Sequence, residues 1–123
     1  MKIALLGYGK MGKAIEEIAL SEGDEIVLKI SSASKDELTV NNLEKADVAI
    51  EFTNPQSAVK NIKKCFDAHV PVVCGTTGWL KEFDEIKNYC NQKQGAFLYA
   101  SNFSVGVNLF FSLNKYLADL MSA

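Results

Sequence analysis

The chain has 123 residues, of which 48% are hydrophobic and 23% charged, and its formal net charge is −2. That length supports one domain with its own core. The slight negative charge and the lack of a basic block exclude a nucleic-acid-binding signature, and no apolar run is long enough to read as a membrane span.

An apolar strand at Ile3–Leu6 runs directly into Gly7-Tyr8-Gly9-Lys10-Met11-Gly12. The helical stripe Met11, Ala14, Ile15, Ile18 and Ala19 follows, spaced to lie on a sheet. This is G-x-G-x-x-G in its expected context, between strand and helix. Gly7 permits the tight turn, Gly9 leaves room for a pyrophosphate, and Gly12 lets the helix pack closely. Helix N-terminal N–H groups then face the phosphates. Dinucleotide binding is the sharper reading, and an ordinary Gly-rich strand-to-helix turn is the other.

Gly23-Asp24 stops the helix, and Glu25–Ile30 is a second strand. Residues 31–46 are polar and hold at most a short helix. Asp47–Thr53 reads as a third strand, and Asn54-Pro55 then supplies an N-cap and a first-turn proline. The helix that follows turns Ala58, Ile62, Cys65 and Phe66 inward. Val70–Cys74 is near-continuously apolar, as in a sheet covered on both faces. Leu80–Asn91 is helical with Leu80, Phe83, Ile86 and Tyr89 or Cys90 inward, Ala96–Ala100 is a fifth strand, and Asn108–Met121 is a very apolar last helix.

Strands joined by helices imply right-handed crossovers and an α/β, doubly wound parallel sheet of Rossmann type spanning residues 1–123. Ligands then sit outside the carboxyl ends of the strands. Those ends are Gly7–Gly12, Ser31-Ser32, Phe52–Pro55, Gly75–Gly78 and Ser101–Gly106, and most are rich in Gly, Ser, Thr or Asn.

The loop after the second strand carries Ser31-Ser32 where an acid commonly holds the NAD ribose, and Lys29 and Lys35 are near. That combination tolerates the 2′-phosphate of NADP, unless the loop is a solvated turn with Lys35 pointing away. Gly75-Thr76-Thr77-Gly78 offers hydrogen bonds to a flat polar ring, or is a plain turn capping the next helix. Ser101 and Asn102 are placed to hydrogen-bond around a nicotinamide and Phe103 to pack beside it, unless Phe103 is core. Glu51 is a carboxylate inside an apolar strand near the ligand edge, where a strand-end side chain is often solvated. His69, the one histidine, reads as a loop residue. No Ser-His-Asp, Cys-His or metal-ligand grouping can be assembled. Cys65, Cys74 and Cys90 are odd in number and lack C-x-x-C spacing, which reads as three reduced thiols. The N-terminus enters the first strand within two residues, which leaves no room for a signal peptide, and a cytoplasmic protein is expected.

Taken together, Lys10-Met11-Gly12, Glu51-Phe52-Thr53-Asn54-Pro55, Gly75–Gly78 and Asn102–Asn108 resemble the N-terminal half of the dihydrodipicolinate reductase family. Order and spacing match over nearly the whole chain, and the last two motifs together are specific. The resemblance implies reduction of a cyclic unsaturated dicarboxylate by NADH or NADPH on the diaminopimelate route to lysine. Carried over by motif, the cofactor contacts are Gly7, Tyr8, Gly9, Lys10 and Met11 at the turn; Gly12 and, at the end of the third strand, Phe52 and Thr53 are expected beside them. Gly75, Thr76 and Thr77 fall near the nicotinamide ribose and carboxamide, and Ala100, Ser101, Asn102 and Phe103 complete that end; Ser31 and Lys35 occupy the 2′ position. Lys10 stands for the usual Arg, Glu51 for the usual Asp, and Ser31-Ser32 for the family's charged residue, so cofactor preference stays open. The family continues into a substrate domain whose H-H-x-x-K motif carries the proton donor and substrate clamp. With that domain absent, the chain is expected to bind cofactor without turnover and, through its last helix, to self-associate or lose stability, unless that helix closes the domain's own core. Two further readings are a stand-alone nucleotide-binding or redox-sensing module, and a truncated amino-acid or sugar dehydrogenase.

Overall fold

Side-chain alternation in the first strand sets the layers. In β1 (Lys2–Leu6), Ala4 and Leu6 point to one side of the sheet and Ile3 and Leu5 to the other, and all four are buried. A strand apolar on both faces needs cover on both. The computed structural model describes residues 1–122, and β1 lies inside a five-stranded parallel sheet of order β2-β1-β3-β4-β5. The others are β2 (Glu25–Ile30), β3 (Val48–Glu51), β4 (Val72–Cys74) and β5 (Phe97–Tyr99). β2 and β3 flank β1 on opposite sides, so the chain reverses its direction of travel there and opens a crevice at the strands' carboxyl ends.

One face is thickly covered. Helix α3 (Pro55–Asp67) begins where Asn54 accepts a hydrogen bond from the Ser57 N–H at 3.0 Å and Pro55 presets the first turn. Its inward residues Ala58, Ile62, Cys65 and Phe66 are all buried, as their spacing predicts. The short α2 (Val40–Leu43) contributes Leu43, and α4 (Phe83–Gln92) contributes Ile86. Trp79, which periodicity does not mark, is buried among Phe83, Phe97 and Tyr99, with ring centroids 5.2–6.1 Å away.

The other face carries α1 (Lys10–Ser21) and a smaller cluster of Ile3, Leu5 and Ala19, with Ile15, Ile26, Val48 and Ile50 half-buried. The predicted stripe of α1 is mostly not buried. Met11, Ala14 and Ile18 are exposed, Ile18 by 63%, because one helix cannot cover this face and Ala19 and Gly12 make the close approach. Leu98 of β5 lies on the same face and is 57% exposed, so β5 is not covered on both sides. Leu80 is also exposed: it sits in a 3₁₀ turn (Leu80–Glu82) ahead of α4 and not inside the helix.

The last helix, α5 (Val105–Met121), starts three residues earlier than expected, where Ser104 caps it by accepting from the Val107 N–H. Apart from half-buried Val107, its described residues are exposed, Phe110, Phe111, Tyr116 and Leu117 included. It does not close the domain's own core.

Candidate functional site

The Gly-rich turn is set by close backbone approaches. Gly7 donates its N–H to the Ile30 carbonyl at 2.9 Å and adopts φ +104°, and a Cβ there would lie 1.9 Å from the Phe52 carbonyl oxygen. Only glycine fits that position. A Cβ on Gly12 would lie 2.3 Å from the Gly7 carbonyl oxygen, so Gly12 is demanded by the turn folding over α1 more than by packing against the sheet. Gly9 differs, since nothing lies within 4 Å of its Cβ position. It is also the N-cap of α1, which has no side-chain cap and no acidic residue in its first turn. Unsatisfied N–H groups at an open helix start suit an anion.

In front of this turn lies a cleft of about 580 Å³. Gly7, Tyr8 and Gly9 form one end, and Ile30, Ser31, Ser32, Lys35 and Leu38 one wall. Phe52, Thr53 and Asn54 and the first three turns of α3 form the other wall, which includes Lys60, Asn61 and Lys64. Among the described residues no carboxylate lines this cleft, and three lysines do. Ser31 is partly engaged in its own turn, donating its N–H to the Ser34 hydroxyl at 2.8 Å. Lys29 is not among the cleft cations: it points to the α1 face, donates to Glu16 at 3.1 Å, and lies 4.9 Å above the Tyr8 ring. Alternation along β2 sends its side chain away from Ile30's side. The Tyr8 hydroxyl also donates to Glu16, which together with Lys29 holds that carboxyl below the usual range. This clamp fixes the middle residue of the turn against α1.

A second cleft of about 460 Å³ is lined by Met11, Ile15, Phe52, Val73 and residues 101–104. Phe52 borders both clefts, and its ring meets Phe103 edge-on at 6.3 Å. Gly75 explains how Phe52 fits: a Cβ there would lie 2.1 Å from that ring. Phe103 is 42% exposed and is not a core residue.

Several expected ligand contacts are taken up inside the protein. Thr76 is buried; its hydroxyl accepts from the Thr53 N–H and donates to Glu51, each at 2.8 Å, and its carbonyl accepts from Trp79 Nε1 at 2.6 Å. Glu51 is not solvated. It is fully buried and takes hydrogen bonds from the Thr53 and Thr76 hydroxyls and the Cys74 thiol, tying the ends of β3 and β4 together. Burial first and the nearby Glu51 carboxylate second push the Cys65 and Cys74 thiols up to about 12. Asn102 is committed to the α5 entry, accepting from the Ser104 N–H at 2.7 Å, while its carbonyl accepts from the Asn108 amide. Thr77, Lys10 and Ser101 are exposed, Ala100 is half-buried, and Thr77, Lys10, Gly12 and Ala100 line neither cleft. His69 is an exposed loop residue with φ 55°. Sequence reasoning missed Leu38, Lys60, Asn61 and Lys64. The one available signal was Asn61, a polar residue next to Ile62 on the apolar stripe of α3.

Residues 1–103 match the family described as dihydrodipicolinate reductase, N-terminus. The chain belongs to this family. It is 49% identical over 121 residues to a protein of Christiangramia forsetii named 4-hydroxy-tetrahydrodipicolinate reductase, covering 98% of this chain and 50% of that one. It is 32% identical over 107 residues to a protein of the same name from Neisseria meningitidis serogroup C, covering 87% and 39%. The chain thus spans half or less of the length of these relatives. Among solved structures, an NAD-binding protein from Listeria innocua superposes with a TM-score of 0.63 at 15% identity, over 82% of this chain and 35% of that one. A homoserine dehydrogenase from Thermoplasma acidophilum gives 0.59 at 18%, over 80% and 42%. Both show the shared Rossmann-type fold. The family match ends at Phe103, so it takes in the whole sheet and both clefts' strand-end loops and stops just before α5. No helix among the described residues is long and apolar enough to cross a membrane.

Proposed function

We propose that this chain binds a nicotinamide dinucleotide, NADH or NADPH, across the two clefts that meet at Phe52, and that it forms the hydride-donor half of a 4-hydroxy-tetrahydrodipicolinate reductase. The observation that carries the reading is the uncapped start of α1 at Gly9, open in front and flanked by the two clefts. Its N–H groups neutralise a pyrophosphate there. The first cleft takes the adenosine end and the second, beside Met11 and Phe103, the nicotinamide end. The bound dinucleotide supplies a hydride, while the chain's own residues bind and orient it. Glu51, Thr53 and Thr76 act as positioning residues that hold the loops after β3 and β4 in register. Lys35 and Lys60, with no carboxylate opposite them, favour tolerance of a 2′-phosphate.

Relatives about twice this length bear the reductase name, and the resemblance assigns the proton donor and substrate clamp to their second half. These 123 residues alone are therefore expected to bind cofactor without turnover. The test is calorimetric titration of NADH and NADPH at fixed salt. Both bind the parent, with dissociation constants within about tenfold of each other. Gly9→Val stays folded, because its side chain enters open space, and binds neither. Unchanged binding by that variant, or turnover of substrate by the isolated chain at ordinary enzymatic rates, overturns the reading.

A further inference from the structure

The first cleft contains a polar group with nothing to do in the protein itself. Asn61, on the second turn of α3, is 7% exposed and lines this cleft. Among the described residues its side-chain amide makes no hydrogen bond, although every fully occluded side-chain N or O atom has a partner. The amide therefore keeps its access to solvent, and the cleft that Asn61 lines supplies it. An amide this deep, uncommitted inside the protein and open only through the cleft, is free to pair with a ligand's polar edge there.

Its surroundings define what fits. Ile30 and Leu38, both buried, give the cleft apolar walls. Lys64 Nζ donates to the Leu38 carbonyl at 2.8 Å, which pins the 3₁₀ turn (Lys35–Glu37) and its neighbour Leu38 against α3 and fixes the spacing between the two walls. Asn61 lies six residues beyond Pro55, about 9 Å along α3 and away from the Gly-rich turn. The required occupant is a flat ring with apolar faces and one polar edge, carried at the end of a ligand whose phosphates sit at Gly9. Adenine has this form, with its N6 amine beside a ring-nitrogen acceptor. An asparagine amide meets that pair with one acceptor and one donor.

We propose that Asn61 is the adenine-reading residue of the cofactor site, a role resting on the dinucleotide reading above. Asn61 touches the base edge, and the lysines at the rim act separately on phosphate charge. The decisive probes are NADH, its 1,N6-etheno derivative, in which N6 is tied into a ring, and reduced nicotinamide mononucleotide, which lacks the adenosine. Affinities are read by calorimetry. The parent binds NADH about tenfold more tightly than the etheno derivative. Asn61→Ala loses about that factor for NADH and leaves the etheno derivative and the mononucleotide unchanged. Asn61→Leu, close to isosteric, gives the same pattern and serves where the alanine variant does not fold. Equal weakening of all three ligands would mark Asn61 as merely structural and overturn the proposal, as would a parent indifferent to the etheno bridge. A parent that binds none of the three overturns the dinucleotide reading itself, and this role with it.

Discussion

The two faces of the sheet are built differently. The face under α3 and α4 is a closed core in which Phe66, Ile62, Leu43 and Ile86 are buried and Trp79 is ringed by aromatic neighbours. The face under α1 has three buried apolar residues and a margin of half-exposed ones, with Met11, Ile18 and Leu98 open. Both are apolar in sequence. The difference shows that an apolar strand calls for cover, while the elements that actually pack on it decide whether cover is supplied. The two clefts lie along the boundary: the first rests on α3 and the well-packed face, and the second opens beside α1 on the thin one.

The largest expected effect contrasts a residue from each face. Phe66→Ala should cost about 3–5 kcal/mol in urea unfolding, and Ile18→Ala less than about 0.5 kcal/mol. A comparable loss for Ile18 would break the comparison by showing the α1 face to be covered in solution. Glu51→Ala should come next. It strips the acceptor from two hydroxyls and a thiol on the packed side and is expected to cost about 1–3 kcal/mol, read from the same unfolding curves. A neutral outcome there would mean that water replaces the carboxylate and that the face is less closed than its burial indicates.

The thiols give a test through pH. Cys65 and Cys74 are held up to about 12 from an ordinary 9.0, so the folded chain keeps their protons while the unfolded chain loses them. Their contribution to stability is therefore full below pH 9 and is lost as pH rises toward 12. The urea midpoint should fall between pH 8 and pH 10.5 in the parent and fall less steeply in Cys74→Ala. At pH 8, a thiol reagent should modify half-buried Cys90 and spare Cys65 and Cys74 in the folded chain. Rapid modification of all three under native conditions would contradict the closed face. The smallest effect on stability is expected from α5. At concentrations where the parent is monomeric, replacing Leu109, Leu113 and Leu117 by Glu should leave the unfolding midpoint near the parent's, because these residues are exposed. Light scattering over a concentration series should show self-association in the parent and its loss in the variant. A parent that stays monomeric throughout would remove α5 as an association surface.

Much of this was legible in the sequence because it rests on local rules. The Asn54-Pro55 start of α3, its four inward residues and the positive φ of Gly7 each follow from local backbone chemistry and side-chain period, although the close approach of Phe52 to Gly7 is tertiary. The stripe of α1 misled for the opposite reason. Met11, Ala14 and Ile18 have the spacing of a covered helix, but spacing cannot count how many helices arrive on a face. The GTTG segment was legible as a motif and less so as chemistry, since Thr76 turns its hydroxyl to Glu51 and Thr53.

The sequence by itself determined the strand–helix alternation, the glycine-bearing turn between the first strand and helix and the motif set that places the chain in its family. These follow from dihedral limits, side-chain period and short-range capping, all of which act along the chain. Tertiary structure alone decided that Glu51 is a buried knot between strand ends, that Lys29 serves α1 and not the first cleft, and that Asn61 lines that cleft without a hydrogen-bond partner in the protein. Each of these depends on which segments, far apart in sequence, the strand order brings side by side. Burial and partnership are properties of such neighbours, and no residue carries them alone.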